Sequence, residues 1–329
     1  MRVLNADAVR QALPMVEAIE AMRQAFASLS AGRAVVPPRT HLPVAPHHGV
    51  SLVMPAFVTD NRGDALAVKV VSLFDRNAER GLARIQAAVV VLDPRTGQVL
   101  ALLEGATLTA IRTGAASGVA TDLLARADCR TAAVFGAGAQ GRTQLEAVCT
   151  VRTIETAWVF DPLPGAAEAF VAEQAGRAPL PADLRAAADP RQAVADADVI
   201  CTATTSAVPV FADADLKLGA HINAVGSYQP GVQEIPAETV VRARVVADSR
   251  QAVLEETGDL IQPIRQGLIG PEHVHAELGE LLLGRALGRT APEQITLFES
   301  VGVAVQDAVA ARVALARAEQ LGLGQQITW

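Results

Sequence analysis

Aromatic residues make up only 3% of this 329-residue sequence although 50% of it is apolar. Its core must therefore be built mainly from Ala, Val, Leu and Ile. Positive charge is not in excess: the formal net charge is −7, which leaves no basic footprint for nucleic acid. Cysteine is scarce, and Cys129, Cys149 and Cys201 are odd in number and widely spaced without a C-x-x-C pair. That excludes a disulfide framework and a zinc-binding pattern, and three reduced, mostly buried thiols are expected. No apolar run approaches the roughly 20 residues of a membrane span, and the opening Met1-Arg-Val-Leu-Asn-Ala-Asp7 has no signal-peptide core. A soluble cytoplasmic protein is expected. Internal repeats and low-complexity linkers are missing too. The histidines form no ligand pattern, because His47-His48 lie in a Pro/Gly-rich loop and His273-x-His275 has strand spacing without a nearby carboxylate triad, so no metal is expected. Without a G-x-S-x-G elbow or a Cys/His motif, hydrolase chemistry has no support.

What is present begins with Thr131-Ala-Ala-Val-Phe-Gly-Ala-Gly-Ala-Gln-Gly-Arg142, where a short apolar run meets Gly136, Gly138 and Gly141 in G-x-G-x-x-G spacing. Gly136 allows a tight strand-to-helix turn, Gly138 lets the backbone approach a pyrophosphate, and Gly141 lets the helix pack on the strand. Ala137, Ala139 and Gln140 complete the loop, and helix amides from about Ala139 onward would face the phosphates. A second apolar run, 156–160, ends in Asp161, 20 residues after Gly141, where a dinucleotide fold places an acid on the ribose hydroxyls. An acid there favours NAD and would repel the extra phosphate of NADP, which stays possible. The alternative is that Asp161 only opens a turn before Pro162.

Met15, Ile19, Met22, Phe26 and Leu29 recur at steps of four and three after Pro14, which predicts one buried helix face. Extended candidates follow at 50–54, 66–72 and 87–92, the last ending in the turn sequence Asp93-Pro-Arg-Thr-Gly97. The first 105 residues thus read as one helix plus a largely antiparallel sheet. From Cys129 to about Asp248 the rhythm changes. Strand candidates at 132–135, 157–160, 184–188, 198–203, 221–225 and 244–247 alternate with helical text, the signature of a parallel sheet with helical crossovers. Ala-rich helical text returns from Ala276, and 300–320 reads as a long helix.

Three cations stand among apolar or small residues: Arg39 between Pro38 and Thr40, Lys69 in Ala-Val-Lys-Val-Val, and Arg112 in Leu-Thr-Ala-Ile-Arg-Thr-Gly. On a strand Lys69 shares a face with Ala67 and Val71, and a buried, unpaired ammonium is costly. A bound anion would remove that cost; a snorkelling surface chain is the alternative. Thr113 follows Arg112, where contact with the cofactor and helix N-capping are both open. Asn223 and Val225 lie at the end of a strand, on the edge where such sheets bind ligands.

The segments 108–118, 134–141, Ile222-Asn-Ala-Val-Gly-Ser227 and Phe298-Glu-Ser-Val-Gly-Val-Ala-Val-Gln-Asp307 together resemble the ornithine cyclodeaminase/mu-crystallin family over nearly the whole chain. The resemblance implies an α/β fold: a Rossmann-type doubly wound parallel sheet over 118–299, plus an α+β substrate and dimerisation domain from 1–117 with 300–329. It implies an NAD(P)-dependent homodimer acting on α-amino or α-imino acids, with Arg39, Lys69 and Arg112 holding the substrate carboxylate. Asp307 fits the family's Gln-Asp pattern, with capping or a salt bridge as the alternative.

Two positions depart from the cyclodeaminase pattern that the resemblance brings with it. Tyr228 stands where those enzymes carry a catalytic Asp after Ala-Val-Gly, and Leu52 where they carry a Glu before Met-Pro. The Ser-aromatic-x-Pro form is similar to the family's ketimine and cyclic imino acid reductases. Oxidising an amino acid at neutral pH requires a base to deprotonate its ammonium, whereas reducing a preformed imine requires a proton donor, a carboxylate clamp and a hydride. The sequence keeps the clamp and loses the base. The expected reaction is reduction of an imine such as pyrroline-2-carboxylate or piperideine-2-carboxylate, with Lys69, or else the Tyr228 hydroxyl, as proton donor. Cyclodeaminase or alanine dehydrogenase-like activity is the alternative within the family, and cofactor-dependent small-molecule binding without turnover is the alternative of another class.

Overall fold

In the computed structural model, which describes residues 1–328, the chain divides into two units, Met1–Arg112 with Val303–Trp329, and Thr113–Gly302. The first holds an eight-stranded sheet in the order Gln325–Gln326, Arg2–Leu4, Val99–Glu104, Ile85–Leu92, Gly63–Phe74, Gly49–Asp60 and Ala34–Val35, with Thr40–Val44 also paired to Gly49–Asp60. It is antiparallel except where Arg2–Leu4 runs parallel to Val99–Glu104. Helix Met15–Ser30 buries Met15, Ile19, Met22 and Phe26 as the spacing predicts. A shorter helix, Ala6–Ala12, precedes it. Its seven residues are too few for a readable stripe, but the Asn5 side chain accepts from the Ala8 amide and caps it.

Helix Ala304–Leu321 packs on Met15–Ser30 and on the two long strands Gly49–Asp60 and Gly63–Phe74. It buries residues on nearly all sides, Val305, Ala308, Val309, Ala311 and Ala314 among them, as an all-round apolar helix must. The sequence reading started it at Ser300. The structure starts it at Ala304, because the Ser300 hydroxyl and the Gly302 amide both donate to Asp248 first.

The second unit has an eight-stranded sheet, parallel throughout, in the order Asp183–Ala186, Thr156–Phe160, Thr131–Phe135, Val199–Thr202, His221–Ala224, Thr296–Glu299, Arg244–Ala247 and Val274–Glu277. The order reverses beside Thr131–Phe135, which makes this a doubly wound sheet. Strands Val274–Glu277 and Thr296–Glu299 are additions to the sequence reading. The text from Ala276, read as helical, is the end of a strand followed by a five-residue helix, Leu278–Leu282. Thr296–Glu299 is buried along its whole length and shows no alternation, whereas Val274–Glu277 is an edge strand of four residues, too short for its alternation to mark it.

Candidate active site

Lys69 sits in the middle of strand Gly63–Phe74 with Met54 directly opposite. Ala67, Lys69 and Val71 are all buried, on the face that helix Ala304–Leu321 covers. Lys69 is 2% exposed and its Nζ lies 2.7 Å from Asp307 Oδ2. The Arg112 Nε donates to Asp307 Oδ1 at 3.1 Å, and its Nη1 donates to Gln306 Oε1 at 3.1 Å. Asp307 therefore bridges the two cations by a salt bridge and caps nothing. The fold thus supplies Lys69 with a carboxylate of its own, beside the bound anion expected from the sequence. One carboxylate does not neutralise two cations, and Arg39 lies near enough to act on Lys69 as well. The cluster keeps a net positive charge, which suits an anion.

Burial drives the Lys69 ammonium down, Asp307 opposes this, and Arg112 and Arg39 add to the depression, leaving it at about 8. Asp307 responds the other way. Burial would raise it, but Lys69 and Arg112 outweigh burial and hold its carboxyl below the ordinary range. Lys69 is thus a cationic acid that can release its proton near neutrality, the property a proton donor to an imine needs. Leu52, opposite Val71, lies on the same face of the sheet as Met54 and Lys69. An aliphatic side chain occupies that place, so no carboxylate stands there.

In the other unit the glycine loop follows strand Thr131–Phe135, and Gly136 takes φ +102° while its amide donates to the Phe160 carbonyl. A Cβ on Gly141 would lie 1.9 Å from the Gly136 carbonyl oxygen, so this close approach admits no side chain. Gly141→Ala is accordingly expected to lower stability by more than about 3 kcal/mol; a denaturant midpoint equal to wild type would refute the close approach. Helix Ala139–Val151 starts at Gly138 with no side-chain cap, which leaves first-turn amides for an anion. Beyond its own chain neighbours, no atom of the described residues lies within 4 Å of the place a Gly138 Cβ would take. Ala137 is buried, Ala139 is exposed, and Gln140 is half-buried with its Oε1 unpartnered. An open cradle of uncapped amides with a neighbouring acid fits a dinucleotide pyrophosphate and ribose.

Asp161 follows strand Thr156–Phe160. Its Oδ2 accepts from Ala137 N at 2.8 Å and its Oδ1 from Leu163 N at 2.9 Å, so it both shapes the turn and ties it to the glycine loop. A carboxylate has lone pairs beyond these two bonds, and ribose hydroxyls could share it.

Two sequence expectations need correction. Asn223 is fully buried, and its amide nitrogen donates to Thr121 Oγ1 at 3.0 Å and reaches Cys201 Sγ at 3.7 Å, while its Oδ1 meets His221 Nε2 at 3.1 Å. Its side chain is taken up in bracing the sheet. Thr113 lies in the interior of helix Gly105–Leu124, so it is no N-cap, and a mid-helix position does not leave its amide free for a phosphate. Its neighbour Gly114 lets the helix approach the Thr143 backbone. Val225 and Tyr228 are half-buried in the loop after strand His221–Ala224, at the carboxyl edge where doubly wound sheets bind ligands.

The sequence reading missed a group of buried acids beneath that loop. Glu234 accepts from Thr202 Oγ1 at 3.0 Å, Thr204 N at 2.6 Å and Gly226 N at 2.8 Å. Asp259 Oδ1 accepts from the amides of Glu234 and Ile235, and Glu299 Oε1 contacts Thr257 Oγ1. No spacing links positions 234, 259 and 299, so only the fold brings them together.

Residues 1–321 match the ornithine cyclodeaminase/mu-crystallin family profile. The chain is 40% identical over 331 residues to a Delta(1)-pyrroline-2-carboxylate reductase of Bacillus cereus, covering 99% of each. The solved Thermococcus litoralis Delta(1)-pyrroline-2-carboxylate reductase, in complex with NADH and L-proline, superposes with a TM-score of 0.94 at 42% identity, covering 99% of this chain and 100% of that one. An archaeal alanine dehydrogenase dimer with bound NAD superposes with a TM-score of 0.91 at 31% identity, covering 100% and 99%. The cation cluster, the glycine loop and these full-length matches place the chain in the ornithine cyclodeaminase/mu-crystallin family.

Proposed function

We propose that this protein reduces an α-imino acid to the L-amino acid with NADH, with Δ1-pyrroline-2-carboxylate first among the substrates and piperideine-2-carboxylate or an open-chain ketimine next. The observation that carries this reading is the buried Lys69–Asp307–Arg112 cluster, cationic overall, in a chain whose Leu52 and Tyr228 depart from the cyclodeaminase pattern. Relatives matching over their full length are reductases of this kind. Arg112 and Arg39 bind the substrate carboxylate and fix the α-carbon. Lys69 delivers a proton to the imine nitrogen as the C=N bond becomes CH–NH, and Asp307 stabilises the ammonium that Lys69 must be before the transfer. Bound NADH supplies the hydride to the imine carbon. The glycine loop with the first-turn amides takes the pyrophosphate, and Asp161 takes the ribose.

Oxidation of NADH and NADPH with a panel of imino acids tests the assignment, alongside NAD reduction by ornithine, lysine, proline and alanine. Turnover of a cyclic imine is expected. Ammonia release from ornithine would replace this reading with cyclodeamination, and tight ligand binding with no turnover would replace it with a binding role. For the cofactor, Asp161→Asn keeps an acceptor for the Ala137 amide and removes the charge. We expect it to shift the NADPH-to-NADH ratio of kcat/KM about tenfold toward NADPH; an unchanged ratio would take Asp161 out of the selectivity.

The protein also acts, in this reading, as a homodimer in the cytoplasm. On the sheet face away from the helices, Val53, Phe57, Leu66, Val68 and Val90 are half-buried and Val70 is 39% exposed. Such an apolar face suits burial against a second copy, and the alanine dehydrogenase neighbour is a dimer. Light scattering is expected to give twice the chain mass, and Val68→Lys with Val70→Lys to halve it. A wild-type monomer at micromolar concentration would refute the dimer. Cys129, Cys149 and Cys201 are free, and burial pushes Cys149 and Cys201 up to about 12, which suits a reducing compartment. Among the described residues, no helix is long and apolar enough to cross a membrane.

A further inference from the structure

Three oxygen–oxygen contacts run in series below the loop at 225–228. Ser227 Oγ lies 2.6 Å from the Val232 carbonyl oxygen, Thr257 Oγ1 lies 2.9 Å from Ser227 Oγ, and Thr257 Oγ1 lies 2.9 Å from Glu299 Oε1. Each contact needs a hydrogen between its oxygens. The two hydroxyls supply only two. The Val232 carbonyl has none to give, so it takes the Ser227 hydrogen. Ser227 Oγ then accepts from Thr257 and from the Gly258 amide at 3.0 Å. The Thr257 hydrogen is thereby used, and its oxygen also accepts from the Asp259 amide at 3.3 Å. The remaining contact requires a hydrogen from the carboxyl itself.

We infer that Glu299 is held in the fold as a neutral carboxylic acid that donates to Thr257, so that an ordered chain from Glu299 through Thr257 and Ser227 to Val232 positions the loop carrying Val225 and Tyr228. Its neighbours differ in this respect. Glu234 meets three donors and Asp259 Oδ1 meets two backbone amides, so neither needs a proton of its own to satisfy those bonds. The acids around Glu299 agree with the assignment: Asp259, Glu234 and Asp248 all act to raise its carboxyl. Burial comes first and Asp259 second in raising the Glu299 carboxyl well above its ordinary value. Glu299 Oε2 and Asp259 Oδ2 are both buried and unpartnered, an arrangement two ionised carboxylates would not tolerate.

Glu299 is a positioning residue in this scheme. Its consequence for turnover rests on the imine reductase reading, whereas its protonation state does not. The test is the unfolding midpoint of wild type and Glu299→Gln across pH 5 to 8. A group whose folded value is raised stabilises below its unfolded value and loses that contribution as pH climbs toward the folded one. Glutamine donates to Thr257 at every pH and has nothing to lose. The midpoint of Glu299→Gln relative to wild type is therefore expected to rise with pH, by about 3 °C per unit. A flat or falling difference would overturn the inference, since it would mean an ionised Glu299. In turnover, Glu299→Leu and Thr257→Val are expected to lower kcat about 10- to 100-fold, with the KM for the imino acid little changed. Glu299→Gln and Thr257→Ser should restore most of it. If Glu299→Leu turned over as fast as Glu299→Gln, the chain would not position the loop. If wild type reduced no imine at all, the reductase reading would fall while the midpoint series still decided the proton.

Discussion

Lys69→Met is expected to lower kcat for imine reduction by about 10²- to 10⁴-fold, the range associated with loss of a general acid. Methionine fills the strand position without a proton or a charge, so the packing between the sheet and helix Ala304–Leu321 is kept. The proton-donor role also fixes the sign of the pH dependence. Lys69 in the free enzyme loses its proton at about 8, so kcat/KM for the imine should fall as pH rises through that value. A substrate carboxylate bound among Lys69, Arg112 and Arg39 adds negative charge and favours the ammonium. The alkaline limb of kcat should consequently lie at higher pH than that of kcat/KM. Steady-state rates from pH 6 to 10 would show both limbs. Turnover by Lys69→Met with an unaltered rate and limb would transfer the donor role to another group, the Tyr228 hydroxyl first.

Asp307→Asn is expected to cost about 3–5 kcal/mol, because it leaves the buried Lys69 and Arg112 charges without their shared carboxylate. Both contacts are short, 2.7 Å to Lys69 and 3.1 Å to Arg112, and all three side chains are almost wholly buried. Asp307 also raises the Lys69 value, so its removal should move the alkaline limb of kcat/KM below pH 8. Two readouts thus respond together, a lower denaturant midpoint and an acid-shifted limb. The Asp307 carboxyl is itself held below its ordinary range. Its contribution is therefore full above its unfolded value and lost as pH falls through the folded one, a loss Asp307→Asn would not show. A variant as stable as wild type with the limb unmoved would mean that Asp307 is not the counter-charge.

Much of this was legible in local text because the causes are local. The glycine loop could be read from spacing since Gly136 needs a positive φ and Gly141 needs the absence of a Cβ, requirements that act within a few residues. The stripe at Met15, Ile19, Met22 and Phe26 was readable for the same reason, as one face of one helix. Strands Val274–Glu277 and Thr296–Glu299 were not: Thr296–Glu299 is buried throughout and gives no period, and Val274–Glu277 is an edge strand of only four residues. Asn223 misled in the opposite sense. Its place at a strand end suggested a ligand contact, but Thr121, 102 residues away, takes its amide.

The sequence by itself determined the cofactor motif and the three cations, and its resemblance to the family implied the departures at Leu52 and Tyr228. Only the tertiary structure decided what neutralises Lys69 and which acid carries a proton. Asp307 reaches Lys69 across 238 positions of chain, and Glu299 meets Thr257 across 42. The charge state of a buried group depends on what the fold brings within a few ångströms of it, which spacing along the chain does not encode.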